Sequence, residues 1–391
     1  MQDNFKVNFS DIMTKIPKDL FEKVNAEFKV DRYNHKLTGQ SLFNILLYNL
    51  CQEDKISLRI VESSFNNHQF KVYHDGEEIR ASKSGISDRL KAIDYRYYES
   101  IFMTLQNVFA NQIPRQEKQQ IKRFDSTLIT LSSKLLKNGF KVPRGDKNQI
   151  KFSIGFDGLP RFVRIGTTRS DMSEDIALRD AIKQASLSSD DIAVFDRGIS
   201  SRKTFKNFSK SGIRFVTRLN EKANYRVIEE KPLKNDTCTI YDSELEIVLD
   251  SIVQLRSKDI HWIKENFRLI KAVNKNTGKP FMFLTNIINL SASEITEIYK
   301  ARWDIEVFFK FIKQHLSTKQ FLSRDINGIK VVFYMILIAA LLILTFKIIN
   351  KMDSFKFAKK WFVEQLGRSL SYELILLYQN DPGRFKRSFA F

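Results

Sequence analysis

Residues 121–131 read IKRFDSTLITL. β-Branched and aromatic side chains dominate the stretch, which predicts a strand. Asp125 stands in its middle, with Phe124 before it and an apolar run after it. The polar, proline-containing segment just upstream, NQIPRQEKQQ (111–120), reads as a linker and a domain boundary. Downstream, KFSIGF (151–156) and RFVRIG (161–166) read as two further strands, with Asp157-Gly158 as the turn that makes them a hairpin. DMSEDIALRDAIKQA (171–185) has the pattern of an amphipathic helix with Asp171 or Ser173 as N-cap. DIAVFDRGI (191–199) then reads as a buried strand that ends at Asp196 in a glycine turn.

Strand, strand, strand, helix, strand, helix is a mixed α/β order. It is the opening of a ribonuclease-H-like core, in which antiparallel strands precede a parallel pair. Residues 212–285 return to strands (RFVTRL, YRVIE, TCTIYD, ELEIVLDSIVQ, FRLIKAV, PFMFLTNI) and read as a β-rich insertion. The expected organisation is a helical N-terminal domain over 1–115, a catalytic domain over 116–345 containing that insertion, and a helical C-terminal segment over 346–391 whose last ten residues are frayed. In the N-terminal part, a capped helix, a break and a second helix from Ser57 are followed by a helix over 87–110 with Ser87 as N-cap. Its basic residues, Arg59, Arg80, Lys83, Arg89, Lys91 and Arg96, suit a DNA-binding module or a helical cap on the next domain.

After the insertion comes IYKARWDIEVFFKFIKQHL (298–316), preceded by Ser291 or Ser293 as a helix cap. Wound at roughly 100° per residue, it places Tyr299, Arg302, Glu306, Lys310 and Lys313 within an arc of about 80°. The rest of its surface is largely apolar, so the expectation is a buried helix with one charged strip facing outward. A further apolar run, VVFYMILIAALLILTF (331–346), is shorter than the ~20 residues of a membrane-spanning helix and reads as a buried core helix.

The chain of 391 residues is 43% hydrophobic with 33 Phe, which excludes a disordered protein. Lys and Arg number 64 against 45 Asp and Glu, a net charge of +19 that points to a polyanionic partner; anionic membrane surface and ribosome association compete with nucleic acid. Two distant cysteines, Cys51 and Cys238, and five scattered histidines show no zinc spacing, and residues 1–20 lack the apolar core of a secretory signal. The expected setting is a reducing cytoplasm, without structural metal and without a membrane.

Asp125 and Asp196 lie on strands that neighbour each other in the expected core, and Glu306 lies on a helix that packs against them. Three converging carboxylates are hard oxygen ligands suited to Mg²⁺ or Mn²⁺. Two such ions, about 4 Å apart, activate a water or a 3′-hydroxyl and stabilise the leaving oxygen in phosphoryl transfer.

FDSTLI around Asp125, FDRGIS around Asp196, and Tyr299-x2-Arg302-x3-Glu306-x6-Lys313 together resemble the DDE transposases of bacterial insertion sequences. More narrowly they resemble the Y-R-E-K subgroup, the insertion-sequence-four family. KISLRIVES, ISDRLKAIDYRYYE and FLTNI are softer matches, so the resemblance covers nearly the whole chain. It implies metal-dependent nicking at transposon ends and transfer of the 3′-OH into target DNA, with Asp125, Asp196 and Glu306 holding two Mg²⁺ or Mn²⁺ ions. It further implies double-stranded DNA as partner and a homodimer in the synaptic complex. Tyr299, Arg302, Lys310 and Lys313 would contact the DNA end. Trp262 is the Trp of the insertion and the candidate for stacking on a flipped base. A ribonuclease-H-like nuclease that only hydrolyses and a catalytically silent, domesticated DNA-binding protein are the alternatives.

Overall fold

The computed structural model describes residues 5–53, 55–67, 70, 79–113, 120–130, 140–141, 148–166, 169–233, 237–240, 243–257, 261–316 and 322–378. The linker's residues 114–119 and the end expected to fray lie outside them. In chain order the helices are α1 (Phe9–Met13), α2 (Leu20–Phe28), α3 (Gly39–Gln52), α4 (Leu58–Phe65), α5 (Lys83–Ala92), α6 (Tyr95–Ala110), α7 (Glu174–Gln184), α8 (Arg202–Lys210), α9 (Ala292–Lys300), α10 (Trp303–His315), α11 (Ile326–Ile349) and α12 (Phe355–Tyr378). The strands are β1 (Gln120–Thr130), β2 (Phe140–Lys141), β3 (Asn148–Phe156), β4 (Pro160–Gly166), β5 (Asp191–Phe195), β6 (Arg214–Arg218), β7 (Tyr225–Glu230), β8 (Thr237–Ile240), β9 (Ser243–Leu255), β10 (Phe267–Asn274) and β11 (Pro280–Thr285). They sort into a sheet-based unit, Arg115–Leu128 with Ile150–Phe308, and a helical unit, Met1–Pro114 with Ile129–Gln149 and Phe309–Phe391.

In the helical unit α11 is the centre. Every residue from Val331 to Phe346 is buried, and the helix packs against α3, α5, α6 and α12. It is long and apolar enough to cross a membrane, yet the chain itself encloses it, as expected of a core helix. Its few polar groups are engaged internally: the Tyr334 hydroxyl donates to the Glu99 carboxylate, and the Thr345 hydroxyl donates to the Leu341 carbonyl at 2.8 Å.

The helix expected over 87–110 is two helices, and Ser87 lies inside the first. Ser82 caps α5 through a bond from the Gly85 N–H, and Asp94 caps α6 by accepting from the Arg96 N–H. Aspartate satisfies free amides at a helix start better than it serves a helix interior, so the chain breaks at Ile93-Asp94. Asn327, at the start of α11, closes the break: its side chain donates to the Ile93 carbonyl at 2.6 Å and accepts from the Tyr95 N–H at 3.1 Å.

In the other unit the strands form one sheet in the order β3-β1-β5-β6-β11-β10-β9-β7, with β4 on β3 and β8 on β9. β3 and β4 make the expected hairpin, turned at Gly158 with a φ of +95° that favours glycine. β1, β5 and β6 run parallel. RFVTRL, read among the inserted strands, is therefore the third parallel strand, reached through the crossover helix α8. β7 to β11 extend the same sheet antiparallel from the β6 edge.

The two sheet faces carry separate cores. Phe124, Ala193, Phe195 and Phe215 meet α7 and α8, with Leu178, Ile182, Phe205 and Phe208. Ile121, Ile192, Val194 and Val216 meet α9, with Ile295, Ile298 and Tyr299. Ser291 caps α9 in a capping box with Glu294. Behind α9, Arg268 and Asp250 form a buried two-pronged ion pair at 2.8 and 2.6 Å, and the same guanidinium donates to the Ile288 and Leu290 carbonyls.

Candidate active site

Side chains alternate across β1 with the strand period of two. Ile121, Arg123 and Asp125 therefore share the face toward α9, while Lys122 and Phe124 point the other way. β5 is buried along its whole length, and its parallel register with β1 pairs Ile121 with Ile192 and Arg123 with Val194. Carried on by two residues, that register brings Asp125 level with Asp196, the first residue past β5, on the same face. Adjacent strands lie about 4.8 Å apart, so the two carboxylates are neighbours.

Each aspartate is oriented by a backbone amide. The Ser126 N–H donates to Asp125 Oδ1 at 2.7 Å, and the Gly198 N–H donates to Asp196 Oδ1 at 2.7 Å. Burial and the facing Asp196 carboxylate push the Asp125 pKa up to about 7, against the opposing pull of the Ser126 amide and the Arg302 guanidinium. This pair carries more negative charge than its surroundings neutralise.

Glu174, at the first position of α7, is a neighbour that the sequence reading missed. Burial and the Asp196 carboxylate raise its pKa, with Lys151 opposing. Its side chain covers Gly198 so closely that a Cβ there would lie 2.5 Å from Glu174 Cγ. Lys151, buried on β3, donates to the Met172 carbonyl at 3.0 Å. Burial lowers its pKa, while Glu174, Asp125 and Asp171 oppose that shift. The signal for both was faint: an acidic residue opening a helix is common, and a lysine in a half-polar strand attracts no notice.

The stretch 298–316 is not one helix. α9 stops at Lys300, and α10 starts at Trp303. The expected outward strip is accordingly divided. Tyr299 is buried in the α9 core, its ring 5.2 Å from that of Phe283. Arg302 is also buried; it lies over the Tyr299 ring at 5.5 Å and reaches Glu306 Oε1 at 2.7 Å. The outer side of the break is taken instead by Trp303 and Asp304, both exposed. Lys310, exposed, and Lys313, over the Phe309 ring at 5.9 Å, belong to the part of α10 in the helical unit. Trp262 stands in the β9–β10 connection, bridged to Arg256 and covered by Arg226 at 4.8 Å from its ring.

The structure thus brings together Asp125 and Asp196, and connects Glu306 to them through Arg302. Among the described residues no three acidic, His or Cys side chains close into a full ligand set; the Glu306 carboxylate is engaged by Arg302. The donors that do meet are carboxylate oxygens whose mutual repulsion a hard divalent cation relieves, so the Asp125–Asp196 pair fits such an ion.

A family model described as the transposase DDE domain matches residues 117–342, more than half of the chain. The Sinorhizobium fredii protein y4zB, named for a transposase, is 26% identical over 252 residues, covering 61% of this chain and 65% of its own length. A Synechocystis protein named for the transposase of insertion sequence element IS4SA is 25% identical, covering 63% of this chain and 66% of its own. The match therefore spans just under two thirds of either relative. Among solved structures, a chain of the piggyBac transposase synaptic complex with hairpin DNA superposes with a TM-score of 0.51 at 13% identity, over 99% of this chain and 85% of that one. At that identity the likeness concerns the fold.

Proposed function

Because this chain belongs to the transposase DDE-domain family, we propose that it is a DNA transposase that nicks transposon ends and joins the freed 3′-OH to target DNA. The observation that carries this reading is the level placement of Asp125 and Asp196 on adjacent parallel strands, with Arg302 between Asp125 and Glu306. The order β4-β3-β1-β5-β6 is read as the ribonuclease-H-like core, and β7 to β11 as its β-rich insertion. Residues 1–115 are read as the DNA-binding part, and the acting species as a homodimer on double-stranded DNA.

Asp125 and Asp196 would hold divalent ions, with Glu306 completing the set; two Mg²⁺ or Mn²⁺ are proposed. The chemistry such ions supply when bound is activation of the attacking oxygen and stabilisation of the leaving one. The amides of Ser126 and Gly198 keep both aspartates oriented for this. In the metal-free protein Asp125 retains a proton into the neutral range. Arg302 presents a fixed guanidinium suited to a phosphodiester oxygen, and Tyr299 holds it from below. Lys310 and Lys313, on the part of α10 in the helical unit, are separate candidates for phosphate contact, and Trp262, with Arg226 over its ring, is the candidate for stacking on an unpaired base.

The test uses a duplex carrying the inverted repeats that flank the reading frame, with Mg²⁺ or Mn²⁺. Asp125→Asn, Asp196→Asn and Glu306→Gln should each abolish nicking and joining while DNA binding persists, since several kcal/mol of transition-state stabilisation goes with each metal ligand. Substantial nicking by one variant removes that residue from the site. Nicking by the wild type without any joined product would reduce the activity to hydrolysis.

A further inference from the structure

We infer that Arg123 is a positioning residue, which fastens the α9–α10 break to the strand that carries Asp125 and so sets Arg302 and Glu306 against it. The inference rests on the reading of Asp125 and Glu306 as reacting-site residues. Arg123 precedes Asp125 by two residues on β1, on the same face. Its side chain is 2% exposed and faces the break. Nε donates to the Ala301 carbonyl at 2.6 Å, and Nη2 lies 2.9 Å from Asp304 Oδ2. Ala301 is the C-cap of α9, and its carbonyl also accepts from the Asp304 N–H at 3.2 Å. Asp304 belongs to the first turn of α10. One planar guanidinium therefore grips the C-cap of one helix and the first turn of the next, with Arg302 between the two anchors.

The chemistry of the position argues against a space-filling role. Burying a guanidinium costs more than burying an apolar chain of similar volume, and it is tolerated only where its donors are engaged. A leucine or methionine would fill the same volume at lower cost. Lysine carries a point charge on a flexible stem and lacks the fork that serves both acceptors. With Nε held by Ala301 and Nη2 by Asp304, the Arg123 guanidinium is committed within the protein. Its influence on the reaction must pass through the two residues it positions.

Three variants of the full chain test this: Asp304→Ala, Asp304→Asn and Arg123→Lys. Asp304 is 56% exposed, so its variants should fold even if the buried Arg123→Lys does not. Hydrogen exchange across 301–306 is measured together with the kinetics of end nicking. In Asp304→Ala exchange should quicken in that segment, and kcat should fall roughly tenfold or more, as for the loss of a charge-assisted bond. KM for the DNA end and the melting temperature should stay near wild type. Asp304→Asn, which keeps an acceptor, should recover part of the rate, and folded Arg123→Lys should resemble Asp304→Ala. Wild-type exchange in Asp304→Ala would overturn the fastening; faster exchange with unchanged kcat would overturn the positioning role. A wild-type protein that nicks no end would defeat the transposase reading instead, and exchange alone would then decide whether Arg123 holds the break.

Discussion

Replacing Asp125 by Asn should stabilise the metal-free protein at neutral pH while destroying its response to metal. Asp125 titrates at about 7 in the fold against an ordinary 3.8. The folded state thus keeps a proton that the unfolded chain releases. For a raised carboxyl, the stabilising contribution is complete below pH 3.8 and is lost as pH rises to 7. A gap of that size corresponds to a ceiling of about 4 kcal/mol at 1.36 kcal/mol per unit, and partial exposure to solvent brings the expected effect to about 1–3 kcal/mol. Asn is nearly isosteric, carries no charge beside Asp196, and its carbonyl oxygen still accepts from the Ser126 N–H. Urea denaturation in EDTA at pH 5 and pH 8 measures the effect. Wild type should lose stability between the two pH values, the variant should change less, and at pH 8 the variant should be the more stable. Addition of Mg²⁺ or Mn²⁺ should then stabilise wild type, as binding to the native state requires, and leave the variant nearly unmoved. A variant less stable than wild type at pH 8 in EDTA, or one stabilised by metal as strongly as wild type, would refute the account of Asp125 as a repelled carboxylate awaiting a cation.

DNA affinity should be strongly salt-dependent, because neutralising six to ten phosphates costs ~10³–10⁵ in affinity between 50 and 200 mM salt; binding isotherms at several salt concentrations measure the slope, and a flat response would assign the +19 charge to another partner. Arg268→Ala should destabilise the protein by ~3–5 kcal/mol by stranding Asp250, and chemical denaturation should detect it; a loss below ~1 kcal/mol would mean that the buried pair contributes no more than a surface one.

Where local pattern decides structure, the sequence was readable. β1, the β3–β4 hairpin with Gly158 at positive φ, and β5 ending just before Asp196 all follow from side-chain alternation and turn chemistry within a few residues. The direction of β6 was not readable, because its five residues look alike in parallel and antiparallel pairing and only the crossover through α8 decides. The break at Ala301-Arg302 was hidden for a related reason. Ala-Arg-Trp holds no glycine or proline, and the groups that stabilise the break come from Arg123, 178 positions earlier in the chain. Asp125 and Asp196 were found by their placement in strands. Glu174 was not, since its role as a neighbour of Asp196 depends on the closeness of α7 to the Gly198 turn.

The enclosure of α11 has a consequence for the order in which the protein is made. α3, α5 and α6 are translated first, and the apolar surface they share stays open until residues 326–349 are synthesised. A polypeptide that stops near the 111–120 linker never receives its core and keeps that surface exposed, a condition that favours aggregation. Premature termination therefore leaves a helical fragment with an open apolar face. The helical unit closes only when the chain has been made through α11, and an interrupted reading frame yields material for proteolysis.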